Sequence, residues 1–262
     1  MATARRWHPA VLTLFVALVL AATAVVVSSS RGAFFDSTDN AGNSFVAAAS
    51  FGGIIQLQKA SAASAGEAPS ITATYGSAPT QDNLLVLVHH YRDDVTVTLP
   101  VGWTEAVALV NSKSTITIAY RIAGAAEGTG VTVSVSRDKS QTLHIFEYSG
   151  IDTTSPLDQT ASNSCSVPTT SCSSGTTATT SVADELVIAG FGVNGTSGGW
   201  DDTWTNSFTE QSTVESTGSA GERSASSIAD RIVTATGTFE TTEGWTISLK
   251  ALGAIATFKA AP

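Results

Sequence analysis

Charged side chains are scarce in this sequence of 262 residues, at 13% of the total, and basic ones are the scarcest. Its 13 Lys and Arg stand against 22 Asp and Glu, giving a formal charge of −9. So little basic surface argues against nucleic-acid binding. Lys and Glu, which favour helices, are few, whereas Thr, Ser, Val and Gly are common, which disfavours a helical protein. The hydrophobic content of 42% is too high for a disordered chain, so we expect a folded core of strands.

The sequence also contains neither a His-Glu-x-x-His motif nor a phosphate-binding loop. Glu147, and Asp93 and Asp94 near His89 and His90, could do general acid–base work if they met in a cleft. The structural alternative is that these residues only cap the end of a strand and occupy a solvated turn. His89 and His90 point to opposite faces of a continued strand, so they would not bind one metal together. We therefore assign no catalytic residue and no metal site.

The amino terminus has the layout of an export signal. Arg5 and Arg6 precede an apolar run over residues 11–27, and small residues follow over 28–33. Because 17 residues is the short limit for spanning a bilayer, an uncleaved anchor is the alternative. We assign residues 1–33 to a signal peptide or membrane anchor, most simply an apolar helix, and place the protein outside the cell or at its surface. Contact with a membrane is expected only through this segment, if it is uncleaved.

Residues 32–39, Gly-Ala-Phe-Phe-Asp-Ser-Thr-Asp, are followed at 43–48 by Asn-Ser-Phe-Val-Ala-Ala. Together they resemble the export region of the TasA and camelysin family of bacterial, fibre-forming matrix proteins. The resemblance spans roughly residues 10–50 and implies cleavage between Ala33 and Phe34 by a dedicated signal peptidase. Cleavage there would remove three Arg and no acid, lowering the formal charge from −9 to −12. Charged partners would then be cations or metal ions.

Cysteine usage agrees with export. Cys165 and Cys172 are the two cysteines, separated by six residues that include Pro168. A pair this close with no His nearby favours a local disulfide over a metal site.

The chain after residue 33 divides by composition into three parts. Residues 34–58 predict a strand segment that lies outside the main domain and could pair with a neighbouring molecule. Residues 59–70 are small and predict a linker. Residues 71–260 predict the main domain. The apolar residues of the predicted assembly strand are Phe34, Phe35, Phe45, Phe51, Ile54, Ile55 and Leu57.

The main domain shows repeated strand patterns. Apolar residues alternate with polar ones over 115–122 and 131–136, which is typical of half-buried strands. Residues 84–88 and 186–188 are continuous apolar runs, as expected for inner strands with both faces covered. Gly-rich breaks separate the strands. The pattern predicts an all-β fold, an antiparallel β-sandwich of about ten to twelve strands in one domain.

Several short blocks carry a second resemblance: Pro-Val-Gly-Trp-Thr at 100–104, Ile-Ala-Tyr-Arg-Ile-Ala-Gly at 118–124, Phe-Glu-Tyr-Ser-Gly-Ile-Asp at 146–152 and Trp-Thr-Ile-Ser-Leu at 245–249. In this order they resemble a jelly-roll sandwich domain of secreted bacterial proteins. The resemblance implies a jelly-roll-like fold and a surface location, and it implies no catalytic residue.

One loop carries a candidate binding site. Trp200, Asp201, Asp202 and Trp204 follow two glycines. Exposed Trp rings stack on sugars, and the carboxylates can accept hydroxyl hydrogen bonds or hold Ca²⁺. The alternative is that both Trp rings close the end of the sandwich. We expect no other cofactor.

Three functions are consistent with these patterns. The first is an exported, non-enzymatic surface or matrix protein that self-associates, forming fibres through residues 34–58. The second is a monomeric module that binds a glycan or a cell-surface ligand through the Trp200–Trp204 loop. The third is a carbohydrate-active hydrolase using two of the carboxylates Glu147, Asp93, Asp94, Asp201 and Asp202.

Overall fold

The computed structural model describes residues 53–94, 96–111, 113–195, 203–219 and 221–262. The predicted segment 1–33, the cleavage position between Ala33 and Phe34, and the aromatic residues Phe35, Phe45 and Phe51 of the predicted assembly strand lie outside these ranges. Within them, no helix is long and apolar enough to cross a membrane.

Thirteen strands form three antiparallel sheets in the described part of the chain. The strands are β1 (Ile55–Ala63), β2 (Ala68–Thr74), β3 (Leu84–Tyr91), β4 (Val97–Thr98), β5 (Thr104–Asn111), β6 (Ser114–Ile122), β7 (Gly130–Lys139), β8 (Gln141–Ser149), β9 (Leu157–Ser173), β10 (Asp184–Asn194), β11 (Thr209–Glu215), β12 (Ser224–Thr234) and β13 (Thr242–Lys259). The first sheet has the order β1-β8-β3-β6-β5, the second β11-β12-β10-β13-β9 and the third β2-β7-β4. The predicted all-β antiparallel sandwich is confirmed, although the described residues contain thirteen strands where about ten to twelve were predicted.

The main core lies between the first and second sheets. Alternate residues of β3 and β6, such as Val86 and Ile118, face alternate residues of β10 and β13, such as Ile188 and Leu252, and all four are fully buried. This is the period of two that the sequence shows in β6, because successive side chains of a strand point to opposite faces. Each such large apolar side chain contributes about 1.5–3 kcal/mol on burial.

A second core lies on the other face of the first sheet, which the third sheet covers. Leu85 and Leu87 of β3 contact Val131 and Val133 of β7 there. The run over 84–88 is therefore buried on both faces, as its unbroken apolar sequence predicts. The third sheet is a layer that the sequence does not reveal.

The outer face of the second sheet is covered by loops. Phe208 and Phe239 come from two of these loops and lie over Val187 and Ile255. The run over 186–188 is thereby covered on both faces, which agrees with its predicted place as an inner strand.

The predicted linker over residues 59–70 is wrong. Residues 59–63 belong to β1, which pairs with β8, and residues 68–70 belong to β2, so only residues 64–67 connect strands. The sequence misleads because the second part of β1, residues 60–63, is made of Ala and Ser. Ala60 and Ala62 pack against the second core, where the larger apolar side chains come from other strands.

The boundary of the predicted assembly strand is also corrected. Ile54 is buried in the main core, and β1 begins at Ile55, so residues 54–58 belong to the domain's own structure. Ile55 and Leu57, in contrast, are 53% and 50% exposed.

Candidate functional site

Glu147, a predicted acid–base candidate, is buried in β8 and fully hydrogen-bonded. Its Oε1 accepts hydrogen bonds from the Thr80 N–H at 2.8 Å and from Asn83 Nδ2 at 2.5 Å. Its Oε2 accepts one from Gln58 Nε2 at 2.5 Å. These donors compensate the loss of water around the carboxylate. Glu147 therefore joins β8 to β1 and to the chain that precedes β3.

Asp93 and Asp94 lie in the turn after β3, away from Glu147. Arg137 contacts Asp93 Oδ2 at 3.3 Å and Asp94 Oδ1 at 2.9 Å. A hydrogen bond from the Asp94 N–H, together with Arg137, holds the pKa of Asp93 below its ordinary value. Glu147 stands opposite Leu85, at the other end of β3, so about 20 Å of strand separates it from this turn. The structure therefore does not bring Glu147 together with either aspartate, and a glycosidase pair needs roughly 5–10 Å.

His89 and His90 point to opposite faces of β3, as predicted. His89 Nε2 lies 3.0 Å from Gln141 Oε1, on the face toward the third sheet. His90 points between the first and second sheets, where its Nδ1 lies 2.7 Å from Ser224 Oγ and its Nε2 lies 2.6 Å from Ser114 Oγ. Both rings are fully buried.

A third histidine, His144, completes a polar layer between the two large sheets. Its Nε2 lies 2.8 Å from Ser226 Oγ, which also contacts Thr142 Oγ1 at 2.6 Å. Burial lowers the pKa of His90 and of His144 to about 3, so both imidazoles are neutral at ordinary pH. Sequence reasoning missed this layer, because nothing in the chain shows that His144 and Ser226, which lie on different sheets, come into contact.

The predicted disulfide between Cys165 and Cys172 is confirmed. Both cysteines lie in β9, with Cα atoms 6.0 Å apart, although seven extended residues would span about 23 Å. β9 and β13 therefore leave the sheet together between these positions, and we call this excursion, residues 165–172 and 244–250, the protrusion. Within the protrusion, the Trp245 side chain is buried and donates a hydrogen bond to the Thr169 carbonyl at 2.6 Å.

Of the predicted sugar-binding loop, only Trp204 lies within the described residues. Its ring packs edge-on against Phe191, with centroids 5.4 Å apart, and contacts two of the apolar clusters. This position agrees with the structural alternative for Trp204, in which the ring closes the sandwich. Trp200, Asp201 and Asp202 lie outside the described ranges.

A cavity of about 430 Å³ opens at the end of the sandwich beside the protrusion. We call it the end cavity. Its wall includes Arg92 after β3, Lys113 in the β5–β6 turn and Lys250 in the protrusion. Ser114, which contacts His90, also lines it. Sequence reasoning missed this site because its three cations are far apart in the chain.

Residues 195–199, Gly-Thr-Ser-Gly-Gly, match the Gly-x-Ser-x-Gly spacing of a nucleophile elbow, which sequence reasoning also missed. That motif needs a turn from a strand into a helix. Asn194 ends β10, but residues 196–202 are outside the described ranges, and the described residues contain no helix. The match carries no assignment.

Among the described residues, no group of three or more His, Cys, Asp or Glu side chains is arranged to hold a metal ion. The chain matches no protein-family model, no curated protein and no solved structure. Arguments about its function therefore rest on its residues and their geometry.

Proposed function

We propose that this chain is exported and serves as a non-enzymatic structural protein of the cell surface or extracellular matrix, in which copies associate through residues that precede β1. The edge position of β1 carries this proposal. In the described sheet β1 pairs with β8 alone, and Ile55 and Leu57 are about half exposed. An edge strand offers unpaired backbone groups to a strand from another molecule.

Two further observations support export. The disulfide between Cys165 and Cys172 is consistent with an oxidising compartment. The apolar run over residues 11–27 and the resemblance of residues 32–48 to the TasA and camelysin export region point to the same route. Removal of residues 1–33 would leave the aromatic residues Phe34 and Phe35 at the new amino terminus.

The geometry changes the proposed mode of association. Because residues 54–58 belong to the domain itself, the joining segment is residues 34–52. We propose that this segment of one copy adds as a strand to the edge of β1 in the next copy. Its Phe45 and Phe51 would then cover Ile55 and Leu57.

Electron microscopy of two purified chains tests this mechanism. The chain beginning at Phe34 should form regular filaments, and the chain beginning at Gly53 should remain as single particles. A start at Ser61 is unsuitable, because it would remove most of β1 and expose β8. Filaments from the Gly53 chain would contradict the mechanism.

A charged residue on the edge of β1 gives a finer test. Leu57→Lys should abolish filaments in the chain beginning at Phe34, because a charge on an edge strand blocks strand addition. Val101→Lys is the matched control, since Val101 is 96% exposed in a turn. An equal loss of filaments in both variants would show a general effect of added charge and would contradict association through the edge of β1.

The alternative is a monomeric module that binds a glycan or another surface ligand. Single particles from both chains would favour it. Unchanged polysaccharide retention after Trp200→Ala and Trp204→Ala would exclude the Trp200–Trp204 loop as its contact.

A further inference from the structure

We propose that the end cavity binds an acidic saccharide, with Lys113 and Lys250 contacting its carboxylate. The overall charge predicts the reverse preference, since acidic side chains outnumber basic ones by 22 to 13. The local charge is what a ligand meets, because a cleft lined by one sign of charge concentrates ligands of the opposite sign.

The cations of the end cavity come from three separate segments. Lys113 and Lys250 are exposed, and neither forms an ion pair with a described carboxylate. Arg92 is partly neutralised by Glu222, whose Oε1 lies 3.1 Å from its guanidinium. No carboxylate lies among the described residues that line the cavity. Two ammonium groups are therefore available to an anion.

The rest of the wall suits a sugar. Asn111, Ser166 and Ser248 supply amide and hydroxyl groups for hydrogen bonds with ligand hydroxyls. Leu249 and Pro168 supply an apolar surface for the C–H face of a pyranose ring. An inorganic anion would use the cations and the hydrogen-bond donors but not the apolar surface of Leu249 and Pro168, so the mixed wall favours a polyhydroxylated acid.

One wall group also lacks a partner. Asn194 Oδ1 is buried and has no hydrogen-bond donor among the described residues. The Nδ2 of the same side chain donates to the Lys113 carbonyl, which orients the amide.

The part of the wall that surrounds the two lysines is held in place before a ligand arrives. The disulfide pins the protrusion that carries Ser166 and Lys250, and Ser114 contacts the buried His90. Preorganised groups lose little conformational entropy on binding. A volume of about 430 Å³ lies in the range of small-ligand pockets and fits one or two sugar units.

Isothermal titration calorimetry at low ionic strength tests the proposal, using the chain beginning at Phe34 and, in parallel, the chain beginning at Gly53, which includes every described residue of the domain. The probes are digalacturonate, the neutral disaccharide lactose and inorganic phosphate. We expect saturable binding of digalacturonate at one site, at least tenfold weaker binding of the other two, and weakening of the digalacturonate affinity as salt is added.

Variants then locate the site. The double variant Lys113→Gln and Lys250→Gln should weaken digalacturonate binding at least tenfold. Both side chains are exposed, so the fold should be preserved. Lys259→Gln is the matched control, because Lys259 lies eight residues beyond Ala251 in β13, about 27 Å from the cavity wall, and should leave binding unchanged.

Four results would overturn the proposal: no saturable binding of digalacturonate, equal binding of lactose, equal binding of phosphate, or unchanged affinity in the double variant. Equal weakening in Lys259→Gln would also overturn it, by showing that only overall charge matters. The chain beginning at Gly53 lacks the proposed joining segment, so its binding is measured independently of the proposed assembly.

Discussion

Gly192 of β10 lies directly against His90, and a single added methyl group there should destabilise the protein strongly. A Cβ built on Gly192 would lie 2.0 Å from His90 Cδ2 and 2.4 Å from Cγ, which no real contact allows. Since the backbone of Gly192 has no positive φ, Ala is conformationally acceptable there. The cost of Gly192→Ala therefore comes from the His90 ring.

The size of the destabilisation follows from the contacts that the His90 ring loses. Forcing a methyl group into a filled core costs about 1–3 kcal/mol. A displaced His90 also loses its contacts with Ser224 and Ser114, and each buried group left without a partner costs about 1–3 kcal/mol. We expect Gly192→Ala to lower the free energy of unfolding by about 3–5 kcal/mol.

Urea denaturation with a double-mutant cycle is the assay. In the background His90→Ala the added Cβ has room, so Gly192→Ala should cost less than about 1 kcal/mol there. Gly190→Ala is a comparison in the same strand, because the nearest atoms to its Cβ would be Ile228 Cδ1 at 2.8 Å and Val88 Cγ1 at 2.9 Å, a milder overlap than the one at Gly192. An equal cost of Gly192→Ala in both backgrounds would refute the reasoning.

The remaining predictions concern acid, the disulfide and an aromatic contact. Burial lowers the pKa of His144 to about 3, below its value of about 6.5 in the unfolded chain, so its contribution to stability is complete above pH 6.5 and is lost as the pH falls toward 3. Burial raises the pKa of Glu185 to about 7, so its contribution is complete below about pH 4.5 and is lost as the pH rises to 7. The urea midpoint should therefore fall less between pH 8 and pH 4 in His144→Gln than in the wild type. Glu185→Gln should raise the urea midpoint more at pH 8 than at pH 4.5. Plots of midpoint against pH that run parallel to the wild-type plot would contradict both predictions. Replacing Cys165 and Cys172 by Ser should cost about 2.5 kcal/mol, the loop-closure entropy of a loop of about eight residues, and an unchanged calorimetric melting temperature would contradict this. Trp204→Ala should lower the free energy of unfolding by about 2–4 kcal/mol, because it removes the ring that contacts Phe191, and Trp204→Phe should lower it less. Wild-type stability in both variants would place the ring outside the core.

Much of the fold could be predicted from local patterns. The alternation over 115–122 and 131–136 and the unbroken apolar runs over 84–88 and 186–188 each report which faces of a strand are buried. The second part of β1, over residues 59–63, could not be predicted in this way. Its Ala and Ser residues carry little apolar signal, and the stability of the strand comes from pairing with β8.

The candidate sites depended on contacts between distant segments. Glu147 has the sequence context of a catalytic carboxylate, but Asn83 and Gln58, which satisfy it, lie more than sixty residues earlier in the chain. The end cavity joins residues from 92 to 251. No pattern in one sequence indicates which distant residues will meet.

The sequence by itself therefore determined the strand class, the positions of β3, β6, β7 and β10, and the disulfide, since these follow from the period of the side chains and from two cysteines close in the chain. The tertiary structure decided the third sheet, the membership of β1, the buried layer of His90 and His144, and the cationic cavity at Lys113 and Lys250. The physical reason is that burial and electrostatics depend on distance in space, and in an antiparallel sandwich neighbours in space are mostly far apart in the chain.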